Sequence, residues 1–380
     1  MNSVPAPDRV TWTRDALSVA WADGTSGQFS SLWLRDNRPQ DRDPGSGQRL
    51  TDVADLPEAP AIRSVVSGKG AVVVAWDDGS EPASFALDWL ADHARGREPG
   101  EFPRRLWLDG AALDAGRDFA WCSFDQARRD DRARFAWLKR VQEDGLAFLS
   151  AVPGEEATIL AAAALAGRVC ETNYGVFFDV RAVPQPENLA YSDLGLGLHT
   201  DNPYREPVPG YQALHVLSAA PDGGQSLFAD GWALAEYLRE SDRNSFDRLA
   251  QTSVAFAYRS KDADLYAERP LIQLSCSGSV IAIHYNNRSI APLHMPAAEL
   301  DAYYCCYRRF ARLLRDERFQ LKFTLRAGDL VLFDNQRVLH GRTAFVSARH
   351  ARHLQGCYLS RDSVQSTTAL LRREFGEDDR

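Results

Sequence analysis

The sequence predicts an α+β protein with a dominant sheet or barrel, preceded by a small β-rich module. Two short segments, Val19–Gly24 (VAWADG) and Val74–Gly79 (VAWDDG), each close an apolar run on Asp-Gly, the chemistry of a tight hairpin turn. Amphipathic helical patterns occupy the middle of the chain, and short apolar runs separated by long loops follow them. Helices first and many strands later is the order of an α+β fold.

The 380 residues leave room for two or three domains or one large one. Hydrophobic residues at 44% and charged residues at 25% are ordinary for a globular chain, which excludes collagen-like and wholly disordered readings. A net charge of −8 with no basic stripe argues against a nucleic-acid partner. The six cysteines form no CxxC pair and are expected to be reduced thiols. The opening MNSVPAPDRV lacks the pattern of a secretory leader, and the most apolar run, Ile159–Ala166, is far below the ~20 residues of a membrane span. The expectation is a cytoplasmic protein with no membrane partner.

Taken in order, residues 1–100 read as the β module, with Arg35–Arg49 a long polar loop inside it and His93–Arg105 the domain linker. Residues 110–380 then form the second domain. Ser123–Asp144 reads as one amphipathic helix, with Phe135, Leu138 and Val141 at three-residue spacing and Gly145 as its stop. Leu146–Val152 reads as a strand and Glu155–Val169 as a helix. Further helices are expected near Gly231–Glu240 and Ala297–Asp316.

The sharpest chemical pattern is His199-Thr200-Asp201, followed 139 positions after Asp201 by His340. Side chains at i and i+2 of a strand share a face, so His199 and Asp201 can point at one ion. A third ligand from a remote strand makes two imidazoles and one carboxylate, the facial set of non-haem Fe(II) oxygenases. Twelve residues beyond His340 stands Arg352, in RHLQGCY; on a strand it would share a face with Leu354, Gly356 and Tyr358. A guanidinium there offers a fork for the far carboxylate of a chelating dicarboxylic cosubstrate. Only four of the basic residues are lysines, leaving forty arginines, so it is the place of Arg352 after the distal histidine that distinguishes it.

On GLHTDNPYREPVPGYQALHVL, GGQSLFADG, FDNQRVLHGRTAF, RHLQGCY and the N-terminal SLWLRDN, the chain resembles the gamma-butyrobetaine hydroxylase branch of the taurine-dioxygenase-like Fe(II)/2-oxoglutarate oxygenases. The resemblance implies a double-stranded β-helix, or jelly roll, with flanking helices. It also implies Fe(II) held by His199, Asp201 and His340, with O2 and 2-oxoglutarate as cosubstrates. Arg352 would pair with 2-oxoglutarate and Ser226 would place a hydroxyl beside it. Members of this branch often carry three cysteines after WLRDN that help hold a structural zinc; here Arg38, Gln40 and Asp43 stand at those positions. Arginine is no zinc ligand, so no structural zinc is expected and hydrogen bonds or a second subunit must hold the loop. A homodimer is a further expectation from the resemblance.

The same resemblance implies an aromatic cage for a trimethylammonium group, built from Tyr174, Phe178, Tyr191 and Tyr358, with Phe178 replacing a tryptophan common in the branch. Each such contact stabilises a cation by roughly 0.5–2 kcal/mol. Asn188 and Asn286 match residues that hydrogen-bond the substrate's anionic end. Arg288 has the strand parity of Asn286 and would add a full positive charge, which suits a dianion such as a phosphonate. The expected reaction is hydroxylation of a small trimethylammonium zwitterion coupled to decarboxylation of 2-oxoglutarate to succinate. The leading substrate is 2-(trimethylammonio)ethylphosphonate, in organophosphonate degradation. Gamma-butyrobetaine, giving carnitine, is the alternative, and trimethyllysine a third. A reading of another class is an inactive jelly-roll binding module.

Overall fold

A computed structural model describes residues 7–68, 70–96, 102–181, 193–220, 222–345 and 352–375. The chain forms two compact units, one up to residue 101 and one from residue 102.

The first unit contains two three-stranded antiparallel sheets. One comprises β1 (Pro7–Trp12), β2 (Ala16–Trp21) and β3 (Ser26–Ser30), and leads into a short helix, α1 (Ser31–Asp36). The other comprises β4 (Ile62–Ser67), β5 (Ala71–Trp76) and β6 (Ala83–Ala86), and is followed by α2 (Leu87–Ala94). Alternation on β2 sends Leu17, Val19 and Trp21 into a core shared with Val72, Val74, Trp76 and Phe85. The two Asp-Gly turns fall between β2 and β3 and between β5 and β6, as the sequence predicts.

The polar loop begins as helix α1 rather than as irregular chain, because Ser30 caps it by accepting the Trp33 N–H and Trp33 packs between Phe29 and Trp89. Beyond α1, Arg35 pairs with Asp41 at 3.0 Å and with Asp78 at 2.9 Å. Gln40 donates to the Pro82 carbonyl, and Asp43 accepts from the N–H and hydroxyl of Ser46.

In the second unit α3 (Ala115–Asp118) and β7 (Trp121–Ser123) precede α4 (Phe124–Arg129) and α5 (Asp131–Asp144). The single helix expected over Ser123–Asp144 is therefore two. Asp130 adopts extended backbone and accepts from Arg132 N and Ala133 N, ending one helix while capping the next. Strand β8 (Leu146–Ser150) follows, then α6, which spans only Thr158–Ala164, and β9 (Val169–Cys170).

Next come β10 (Phe178–Arg181), β11 (Leu196–His199), β12 (Tyr211–Ser218) and β13 (Ser226–Asp230). Helices α7 (Gly231–Ser241) and α8 (Arg243–Gln251) separate these from β14 (Ser253–Arg259), β15 (Asp264–Pro270), β16 (Ile272–Leu274) and β17 (Val280–Ile283). The chain then runs through α9 (Ala297–Arg315), β18 (Leu321–Phe323), β19 (Leu330–Asp334), β20 (Val338–Arg342), β21 (His353–Leu359) and α10 (Arg361–Glu374).

Two sheets form the jelly roll. The larger has the order β10-β21-β12-β19-β8-β7, with β9 also on β21; the smaller has the order β11-β20-β13-β18. Phe148, Val216, Phe228, Leu321, Val331, Phe333, Val338 and Leu354 come from both sheets and fill the space between them. The outer face of the larger sheet, through Tyr211, Ala213, Leu332 and Leu359, packs on apolar residues of α5, α6 and α10. This alternation leaves Gln212 and Leu214 of β12 facing inward, toward a cavity at one end of the roll.

Candidate active site

The cavity measures about 300 Å³. His199 and His340 are register partners on β11 and β20, which brings their rings to 4.3 Å between centroids. The Phe333 ring packs on His340 at 4.9 Å. Nδ1 of His199 donates to the Gly197 carbonyl at 2.9 Å, so Nε2 is the atom turned toward Asp201, 3.2 Å from Oδ1. Nε2 of His340 stands 3.8 Å from Oδ2 of the same carboxylate.

Asp201 does not reach this place by strand alternation, because β11 ends at His199. It lies in a bend whose backbone is held by the Asn335 side chain. Tyr358 then donates its hydroxyl to Oδ2 at 2.8 Å. Burial pushes the Asp201 pKa up, but the His199 hydrogen bond, the two imidazoles and Tyr358 outweigh it, and the carboxyl is held well below the usual carboxylate range. Burial and the charge of Asp201 raise the Tyr358 phenol, so it remains a donor. Burial, then His199, bring His340 down to about 3, leaving a neutral imidazole.

Potential ligand atoms of His199, Asp201 and His340 all lie within 4.8 Å of one another. Nδ1 of His340 is buried with no hydrogen-bond partner. Two imidazole nitrogens, one carboxylate oxygen held ionised and an open cavity beside them fit a divalent first-row metal with free coordination positions.

Arg352 lies immediately before β21 and is 8% exposed, with no hydrogen-bond or ion-pair partner among the described residues. Burial, then neighbouring Arg342, lower its pKa to about 10, so it stays charged. Gly224, at φ +64°, provides its bed: a Cβ there would stand 3.1 Å from Cδ of Arg352. Ser226 opens β13 opposite Arg342 and lines the same cavity.

Tyr174, Phe178 and Tyr358 also line the cavity, with Phe178 to Tyr358 at 5.2 Å and Tyr174 to Phe178 at 6.0 Å. Phe178 pairs with Gly356 and its ring occupies the volume a side chain there would take. Asn286 and Arg288 both reach the cavity, but from a turn and its approach rather than from a strand. The Asn286 amide is partly engaged: one Nδ2 proton goes to the Thr200 carbonyl at 3.1 Å and Oδ1 accepts from Arg288 N at 3.2 Å, which leaves the second Nδ2 proton for a ligand. Asn188 and Tyr191 fall outside the described residues.

Two aromatic walls escaped the sequence reading. Tyr204 and Tyr258 stack at 5.1 Å, and the Tyr204 hydroxyl meets that of Tyr174 at 3.2 Å. Tyr204 lies three residues after Asp201 within the quoted motif, so its spacing was visible. Tyr258 arrives on the β14–β15 hairpin, and no local pattern announces it.

A jelly roll carrying two histidines and an aspartate beside an unpartnered arginine defines a non-haem metal oxygenase. Residues 114–358 match the taurine catabolism dioxygenase TauD, TfdA family, and residues 9–91 match the gamma-butyrobetaine hydroxylase-like N-terminal domain. The chain is 38% identical to a gamma-butyrobetaine dioxygenase of Pseudomonas sp. (strain AK-1), covering 94% of each protein. It is 33% identical to dioxygenase str8 of Strobilurus tenacellus, over 90% of this chain and 84% of that one. The gamma-butyrobetaine dioxygenase of Homo sapiens is 26% identical, again over 94% of each. The chain belongs to the TauD/TfdA family and is an Fe(II)/2-oxoglutarate-dependent dioxygenase.

Proposed function

We propose that this dioxygenase hydroxylates a small trimethylammonium zwitterion, with 2-(trimethylammonio)ethylphosphonate as its leading substrate. The observation that carries the choice of a dianion is Arg288, which lines the cavity with no carboxylate partner among the described residues. Its pKa is lowered first by desolvation, while Asp201 acts upward. A second full charge at the anionic end matches a phosphonate better than a monoanion. Gamma-butyrobetaine is the second reading, favoured by the name of the Pseudomonas relative and by Asn286, whose amide suits a carboxylate. Trimethyllysine fits less well because its α-ammonium adds a positive charge.

In this reading His199, Asp201 and His340 hold Fe(II). Together with 2-oxoglutarate and O2, the bound iron supplies the oxidising power that hydroxylates the substrate as 2-oxoglutarate becomes succinate and CO2. Arg352 would pair with the far carboxylate of 2-oxoglutarate, and the Ser226 hydroxyl, which lines the same cavity, would lie beside it. The faces of Tyr174, Phe178 and Tyr358, with Tyr191, exclude water around the ammonium, and Tyr204 and Tyr258 extend that wall. Asn188, Asn286 and Arg288 hold the anionic end. Tyr358 also fixes the Asp201 carboxylate through Oδ2, so one phenol serves cation and metal ligand together.

Succinate formation with each substrate tests this. The phosphonate should be turned over faster than gamma-butyrobetaine, and Arg288→Ala should lower kcat/KM for the phosphonate by about tenfold or more, the worth of one charged hydrogen bond, with the carboxylate within about threefold of wild type. No succinate with any trimethylammonium compound would sink the substrate class, and equal losses on both substrates would sink the dianion. We further propose that residues 110–380 carry catalysis, that residues 1–100 form a separate domain, and that the enzyme works as a cytoplasmic homodimer. A single-chain mass of 42.3 kDa in light scattering at micromolar concentration would refute the dimer. No helix among the described residues is long and apolar enough to cross a membrane.

A further inference from the structure

We infer that Asn335 is a positioning residue that sets where the Asp201 carboxylate stands, an inference that rests on His199, Asp201 and His340 holding a metal. Strand β11 ends at His199, so Asp201 lies beyond the ladder that pairs β11 with β20. The Asn335 side chain takes the place of a strand neighbour. Its Oδ1 accepts the Asp201 N–H at 2.7 Å and its Nδ2 donates to the Asp201 carbonyl at 3.0 Å. The second Nδ2 proton reaches the Pro209 carbonyl at 3.1 Å, and the Asn335 backbone N–H reaches the Gly210 carbonyl at 2.9 Å. The residue is 0% exposed, so no water can replace these bonds.

A carboxamide is the side chain suited to this task, because it presents one acceptor and one two-proton donor in a single plane. Aspartate has the same shape but would turn an acceptor against two carbonyl oxygens. The other side of the same peptide is also held, because Asn286 Nδ2 donates to the Thr200 carbonyl, and the preceding peptide is held by Thr200 N donating to the Tyr285 carbonyl at 2.8 Å. Asn335 leads into β20, the strand that carries His340. One segment therefore supplies an imidazole and also holds the backbone of the carboxylate, which locks the donors into one relative geometry.

The test uses Co(II) alone with the full-length, metal-free protein, following the visible absorption band that reports ligand geometry, without substrate or cosubstrate. Asn335→Ala and Asn335→Asp should each bind Co(II) at least about tenfold more weakly than wild type and change the band, the size of effect expected when support for a metal ligand is removed. Gln336→Ala is the control: its Nε2 donates to the Val208 carbonyl in the neighbouring segment and does not touch Asp201. It should bind Co(II) within about threefold of wild type even where its melting temperature falls as far. Wild-type affinity in both Asn335 variants overturns the inference, as does an equal loss in Gln336→Ala. If Asn335→Ala does not fold, the isosteric Asn335→Asp carries the test by the same criteria. Failure of wild type to bind Co(II) overturns the metal reading itself, and is distinguishable from failure of the Asn335 role alone.

Discussion

Arg337 and Arg352 lie in the same unit, both nearly removed from water, and the fold treats them in opposite ways. Arg337 is 1% exposed and well partnered: its guanidinium reaches Asp230 at 2.8 and 3.3 Å, the Glu143 carbonyl at 2.9 Å and the Arg105 carbonyl at 2.7 Å. Arg352 has no such partner among the described residues, and Arg342 presses on it with like charge. A buried charge with its partner is architecture. One without a partner costs stability, and it persists where an incoming anion completes it. The ion pairs of Arg35 with Asp41 and Asp78 in the first unit belong to the architectural kind.

This contrast can be broken most severely at Asp230. Asp230→Ala strips Arg337 of its carboxylate and α7 of its N-cap, and should cost about 3–5 kcal/mol in urea unfolding. A loss below about 1 kcal/mol would show that the pair is not structural. Removing the other arginine should do the reverse. Arg352→Met should leave the melting temperature unchanged or raised, while titration calorimetry with 2-oxoglutarate under anaerobic conditions records an affinity at least about thirtyfold weaker, equivalent to about 2 kcal/mol or more for truncating a buried charge pair. Undiminished affinity with a fall of several degrees in melting temperature would make Arg352 architectural too.

A smaller effect sharpens the same comparison. Gly224→Ala places a methyl group against Cδ of Arg352 at a backbone φ of +64°, and should cost about 1–2 kcal/mol of stability with a several-fold rise in KM for 2-oxoglutarate. An unchanged KM would mean that Arg352 does not need this bed.

A further effect concerns a proton. His284 is buried, and desolvation followed by Arg269 and Arg361 lowers its pKa to about 3. Above the ordinary value of 6.5 both folded and unfolded forms are neutral, so nothing changes. Below it the unfolded chain takes up a proton that the folded chain refuses, and stability falls by about 1.4 kcal/mol per pH unit until the folded pKa is reached. Burial lowers His215 in the same direction. Urea unfolding at pH 7.5, 6.0 and 5.0 should therefore show a shallower acid slope in His284→Gln. An identical slope would place the proton elsewhere.

Helices α7 and α9, both hairpin turns and the strand after Gly145 were legible because each rests on local pattern: caps, turn residues and apolar periodicity. Helix α8 was not, because its buried apolar side chains, Phe246 and Leu249, are too few to announce a stripe. In α10 the buried Val364, Thr368 and Leu371 are interleaved with arginines and small polar residues. Strand parity worked on β21, where Leu354 and Tyr358 enter the cavity while Cys357 faces the outer core. It did not describe Asp201, which lies past the end of its strand, or Asn286 and Arg288, which reach the cavity without one. Asn335 stood inside a quoted motif with no role, because its partner is 134 residues away.

The sequence by itself determined the chemistry of this protein. Imidazole, carboxylate and guanidinium carry their ligand preferences in the residue types, and the order in which the motifs occur is a property of the chain. Only the tertiary structure decided which arginines are left unpaired, which tyrosines complete the aromatic wall, and what holds Asp201 beyond its strand. Those outcomes depend on sheet register and on packing between segments from about thirty to more than a hundred residues apart, and no local spacing encodes either.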